Sequence, residues 1–187
     1  MSPITHFFMG WVLANSVQSS RRDRALIVAA SVLPDVDALP VVADVLMGRP
    51  ADGLDLWSRY HHTLAHNIGF ALLVTIACTC LARHRVMTGA LSFLAIHLHL
   101  LGDIVGARGP DGYQWPIPYL LPFSSVLECT WSGQWQLNAW QNIVFTIVLI
   151  IASLWLAWRR GFSPMEFFWR RADAAVVNAL RQRFGTP

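Results

Sequence analysis

The stretch AWQNIVFTIVLIIASLWLAW, residues 139–158, decides the fold class. It carries no charged residue over 20 positions, and at 1.5 Å per residue a helix of that length covers the ~30 Å hydrocarbon core of a bilayer. Trp140 and Trp158 stand near its two ends, where indole rings settle at membrane–water boundaries.

Four more apolar segments precede it, at roughly 4–19, 25–47, 66–82 and 86–105, and an amphipathic stretch follows at 163–184. The whole chain of 187 residues is 55% hydrophobic and 13% charged, with mean hydropathy +0.43. A soluble domain carries about a quarter charged residues, so lipid is the natural solvent for much of this surface. The expected fold is all-α: an integral membrane bundle of about five apolar helices over residues 1–160, with a C-terminal amphipathic helix and tail over 161–187. In that last stretch SPME predicts a helix start, with Ser163 as cap, Pro164 in the first turn and Glu166 completing a capping box. His6 stands among the first apolar residues without the basic start of a signal peptide, so the N-terminus is read as mature structure.

No lysine occurs, and the net charge of +3 comes from few acids rather than a basic tract, so no nucleic-acid partner is expected. Cys78, Cys80 and Cys129 form no zinc-type CxxC pair and read as small apolar residues. If all five segments cross, eleven of the 14 arginines fall on one side, while Arg49, Arg59 and Arg108 fall on the other. The positive-inside rule then makes the eleven-arginine face cytoplasmic.

The polar residues inside these segments gather toward the opposite face. His6 opens segment one, and Asp35 and Asp37 sit in VLPDVDAL, where Pro34 and Pro40 break segment two. Broken backbone and carboxylates at membrane depth are tolerated around an enclosed polar cavity. YHHTLAHN, residues 60–67, brings His61, His62 and His66 to the entrance of segment three. His99 and Asp103 stand four apart in segment four, so a helix puts them on one face. His97 points elsewhere and is expected to pack within the bundle. Imidazoles and carboxylates without a thiolate suit Zn²⁺, Mn²⁺ or Fe²⁺, with zinc first and one or two ions. The ligand candidates are His6, Asp35, Asp37, His61, His66, His99 and Asp103. Whether His61 or His62 joins His66 depends on where helix three begins, and the spacing leaves that open.

Thr5-His6, LPDVD at 33–37, His61 with His66, His99 with Asp103, and Trp115-Pro116 stand in an order that resembles the bacterial membrane-bound metal-dependent hydrolases, some of them LexA-regulated inner-membrane proteins. The likeness spans residues 5 to about 118. HLLGD is also similar to a string in zinc-dependent phospholipase C, whose helical fold is shared with single-strand-specific nucleases. The resemblance implies Asp35, His61 or His66, His99 and Asp103 around one metal, with Asp103 bridging to a second held by His6. The family commonly has Arg-Gly where His62-Thr63 stand, so His62 is either a substituted supporting group or an added ligand.

The function expected is metal-dependent hydrolysis of a phosphoester or similar ester in an amphiphilic, lipid-like substrate at the outer edge of the bacterial inner membrane. Asp35, Asp37 and His62 are the candidate catalytic groups, and Trp115, Tyr119 and Trp131 would frame the substrate. The rival is a non-catalytic metal-binding membrane protein whose site is structural or sensory. A metal-ion or proton pathway would need polar residues continuing through the bundle, and segment five offers only Thr146 and Ser153 beyond its entrance.

Overall fold

The computed structural model describes residues 1–48, 56, 60–109 and 112–187. Arg49 and Arg59, which the charge count placed on the minor side, lie outside them. Helix α1 (Pro3–Ala14) begins where the Ser2 hydroxyl accepts from Thr5 N and Pro3 occupies the first turn. Helix α2 (Arg21–Val32) is capped in the same way, Ser20 accepting from Asp23 N. At Pro34, which offers no N–H to the helix, the chain tightens into a 3₁₀ turn, Leu33–Ala38, and Pro40 opens the short α3 (Pro40–Leu46). The break expected in segment two is therefore present, with Asp35 and Asp37 on the turn.

YHHTLAHN forms turns rather than helix. Helix α4 (Ile68–Leu81) starts only after Asn67, whose side chain accepts from Phe70 N while its amide donates to the carbonyls of Thr63 and Leu64. Helices α5 (Arg85–Gly106) and α6 (Trp140–Arg160) follow. The polar loop between them carries one feature the hydropathy pattern does not announce, a two-residue antiparallel pair of β1 (Ile117–Pro118) with β2 (Glu128–Cys129). Gly161, at φ 79°, ends α6 in the left-handed conformation.

The three helical stretches Arg21–Leu46, Arg85–Gly106 and Trp140–Arg160 are long and apolar enough to cross a membrane. Helices α1 and α4, with 12 and 14 residues, are shorter than a full crossing. The apolar side chains that α6 leaves exposed, among them Ile143, Val144, Ile147, Val148 and Ile151, are the surface lipid would cover.

Helix α2 packs between α1 and α5, and α5 also carries α4. The buried core joins Trp11, Ile27, Val28, Val74, Ile96 and Leu100. Small residues set the close approaches, as membrane bundles require because lipid gives helices no hydrophobic reason to associate. A Cβ on Gly10 would stand 2.0 Å from Ser31 Oγ, and one on Gly89 would stand 2.2 Å from Thr79 Oγ1.

The helices share two chemically different ends. At one, the Asp23 carboxylate accepts from Arg83 N and His84 Nδ1, tying the start of α2 to the α4–α5 connection. Arg160 reaches the carbonyl of Val17 at the same end. The opposite end collects His6, Asp35, Asp37, His66, His99 and Asp103.

Beyond Gly161 the expected capping box is not formed. Pro164–Phe167 is a 3₁₀ turn in which Ser163 Oγ accepts from Met165 N, and helix α7 (Arg170–Phe184) begins later. Glu166 turns away because Arg24 takes both its carboxylate oxygens, Nε on Oε1 and Nη2 on Oε2 at 2.9 Å. Ser163 N is satisfied instead by Asp173. A buried bidentate ion pair outbids a local backbone bond here.

Gly10→Ala is expected to destabilise the bundle by about 1–3 kcal/mol, because the α1–α2 approach leaves no room for a methyl. Thermal unfolding in detergent checks it, and Ser31→Ala, placed in the same background, should recover part of the loss.

Candidate metal centre

Asp103 lies on the inner face of α5 one turn after His99, and only 2% of the residue is exposed. An ionised carboxylate so deeply buried needs compensation, and it comes from separate parts of the chain. His6 Nε2 of α1 lies 3.1 Å from Oδ1, while His66 Nε2 and His99 Nε2 lie 3.2 and 3.0 Å from Oδ2. The α-amino group of Met1 also donates to Oδ1. From the loop, the Gln134 amide donates to the Asp103 carbonyl at 2.7 Å. The expected convergence on one level is present, and Asp103 is its centre.

The outer nitrogens of the imidazoles determine what the inner ones can do. His99 Nδ1 is 2.8 Å from the carbonyl of Ser31, and His62 Nδ1 is 3.0 Å from the carbonyl of Trp115. A carbonyl only accepts, so each Nδ1 carries the proton and each neutral ring turns an Nε2 lone pair inward. His66 Nδ1 is held by Asp37 Oδ2 at 2.8 Å, the carboxylate–histidine arrangement that orients metal ligands. Asp37 also faces His61, whose Nδ1 is 3.5 Å from Oδ1.

Two overlapping groups follow, each with ligand atoms within 4.8 Å of one another: His6, Asp35, His99 and Asp103, and His62, His66 and Asp103. Asp103 belongs to both. Either group could hold a metal ion. The fit is supported by what hydrogen bonding leaves over: His6 Nδ1 and Asp35 Oδ2 are buried with no hydrogen-bond partner among the described residues. A cation beside Asp35 would satisfy an oxygen that is costly to leave bare.

The remaining site residues separate. His62 is the eight-residue cluster's added member, 3% exposed and left-handed at φ 64°. Trp115, whose carbonyl holds it, is left-handed too at φ 46°. Two non-glycine residues in this region mark a backbone held against its preference. His61 stands outside both groups, its ring 4.8 Å from that of Trp115 and tilted edge-on. Of the three aromatic residues expected around the substrate, only Trp115 reaches the imidazoles. Tyr119 gives its hydroxyl to His97 Nε2 at 2.9 Å, and Trp131 packs edge-on to Trp135. His97 is thus a packing residue, as expected. Sequence reasoning passed over Ser31, whose contribution to His99 is a carbonyl that every residue type possesses. Its hydroxyl also donates to the His6 carbonyl at 2.9 Å.

Burial opposes charging of His66, but the hydrogen-bonded carboxylates of Asp103 and Asp37 outweigh it and raise its pKa to about 9. His62 goes the other way: burial, reinforced by neighbouring His66, lowers it to about 3.

Among known families, the one described as YdjM inner membrane protein matches residues 1–176. The chain belongs to that family, a bacterial inner-membrane family. No curated protein and no solved structure matches it.

The raised pKa of His66 sets a pH dependence. The stability its proton supplies is complete below the ordinary histidine pKa of about 6.5, and is lost as pH rises through about 9. In chelator, the melting temperature is expected to fall over that window, and Asp37→Asn should move the fall to lower pH. Melting curves across pH 6 to 10 check both.

Proposed function

We propose that this member of the YdjM inner membrane protein family is a metal-dependent hydrolase acting on a phosphoester or ester of an amphiphilic substrate. The observation that carries the reading is Asp103, one carboxylate common to two ligand groups. Two adjacent ions bridged in this manner clamp the attacking and leaving oxygens of a displacement. His6, Asp35, His99 and Asp103 would hold one ion, and His62, His66 and Asp103 a second. Zinc fits this nitrogen- and oxygen-rich donor set, and manganese or iron would also be accepted. When bound, such an ion supplies Lewis acidity, lowering the pKa of water from 15.7 toward ~7.

The chain's own groups supply the rest. Ser31, Trp115 and Asp37 keep three Nε2 lone pairs aimed inward. Asp37, which belongs to neither ligand group and touches both His61 and His66, is the carboxylate left to accept a proton. Asp35 lines a groove of about 350 Å³ whose other walls include Val32, Leu33, Val36, Leu39 and Phe167. Apolar walls running up to one carboxylate suit a lipid-like molecule whose polar end reaches the ions and whose chain remains in the groove. With the arginine-rich end cytoplasmic, the site opens toward the other side of the membrane.

A second reading, a non-catalytic ion clasp, is favoured by the burial of His6, His66 and His99, all 0% exposed. The two readings separate experimentally. Purified protein loaded with Zn²⁺ or Mn²⁺ is expected to release product from phospholipid or phosphodiester panels, and His99→Ala to lose both the ion and turnover. Asp37→Asn should cost about 10–100-fold in ion affinity or activity, the usual effect of removing a group that orients a ligand. Stoichiometric ion that raises the melting temperature without any turnover would sink the hydrolase and leave the clasp. Wild-type protein that retains no ion on elemental analysis would sink both.

A further inference from the structure

At the end of α2 remote from Asp103 lies a cavity of about 550 Å³ lined by Arg21, Arg22, Arg83 and Arg170 together with Trp11 and Phe167. We propose that it binds the phosphate headgroup of an anionic phospholipid at the membrane boundary. The site is independent of the metal centre and stands or falls separately. About 18 Å of helix separates it from that centre, from the length of α2 at 1.5 Å per residue.

The charge balance of the cavity is the first argument. Its one acidic lining residue, Glu166, is already taken by Arg24, whose guanidinium lies 3.6 Å over the Phe162 ring. Asp23 nearby is occupied by Arg83 N and His84. Arg21 donates to the Glu166 carbonyl, and Arg22, Arg83 and Arg170 make no ion pair among the described residues. Four guanidinium groups therefore face one concavity with their nearby carboxylates spent elsewhere. Such a cluster repels itself unless an anion occupies it, and guanidinium forks match phosphate oxygens in pairs.

Position is the second. Arg21 opens one candidate span, Arg83 precedes a second at Arg85, and Arg170 follows a third that ends at Arg160. The cavity thus sits where three spans meet the same membrane boundary. Phe168 and Trp169, 66% and 59% exposed, stand beside Phe167 on that edge. Exposed aromatic residues next to a basic pocket between helices suit a molecule with a charged head and an apolar body. A soluble phosphate would use the arginines and leave the aromatic edge without a role.

The test uses the full chain in detergent micelles doped with phosphatidylglycerol and phosphatidylcholine, with native mass spectrometry counting retained lipid. One saturable phosphatidylglycerol is expected. Arg22→Gln with Arg83→Gln should weaken it about 30-fold, the effect of two near-surface arginine charges. Arg85→Gln, on the same end but outside the cavity, should leave it unchanged. If the double variant does not fold, Arg170→Gln alone should weaken binding about fivefold. Equal retention of phosphatidylcholine, equal weakening by Arg85→Gln, or undiminished binding in the cavity variants would overturn the proposal. Displacement by millimolar inorganic phosphate would overturn the lipid and assign the cavity to a free anion.

Discussion

A carboxylate with almost no contact with solvent is the constraint around which this bundle is organised. Asp103 sits on the face of α5 that turns inward, and nothing apolar can neutralise it. The chain meets that demand by bringing α1, the broken segment after α2, the turn before α4 and the loop after α5 to one point. Short helices, a proline break and a turn where a longer helix would otherwise form all serve that meeting. The fold is therefore less a stack of membrane helices than an enclosure for charge, with lipid-facing apolar surface on the outside.

The enclosure explains why three imidazoles crowd the start of α4. Each has a separate task once the coordinates are examined: His66 bridges Asp37 and Asp103, His62 turns toward the centre from a strained backbone, and His61 backs Asp37. Lone pairs aimed inward by outer acceptors are the preorganisation on which metal sites depend. The opposite end shows the same logic with inverted sign, where Glu166 and Asp23 are each fully engaged and arginines remain in excess.

Much of this was legible in the residue order. Helix periodicity alone paired His99 with Asp103, the PDxD string with its prolines announced a break, and hydropathy located all the principal helices. The legible part is the part written in side-chain identity and spacing. Less accessible was anything decided by backbone: that residues 60–67 are turns and that His62 is left-handed depends on the whole enclosure, not on local preference. The capping box at Ser163 failed for a related reason, since Glu166 is a good local partner until a distant arginine offers a better one. The lengths of α1 and α4 also fell short of their apolar runs, because both are cut at their polar ends to deliver His6 and His66.

Ser31 and Trp115 hold their histidines by main-chain oxygen, and that gives the centre an unusual kind of inheritance. Replacing either side chain leaves the carbonyl where it was, so the aim of His99 and His62 is sheltered from point substitution at the very residues that set it. What the aim is sensitive to is translation of a whole segment. A change at the α1–α2 crossing, even one far from any imidazole in sequence, would carry the Ser31 carbonyl with it and retune the centre, so variation in ion preference among descendants of this chain should trace to helix contacts rather than to the ligands.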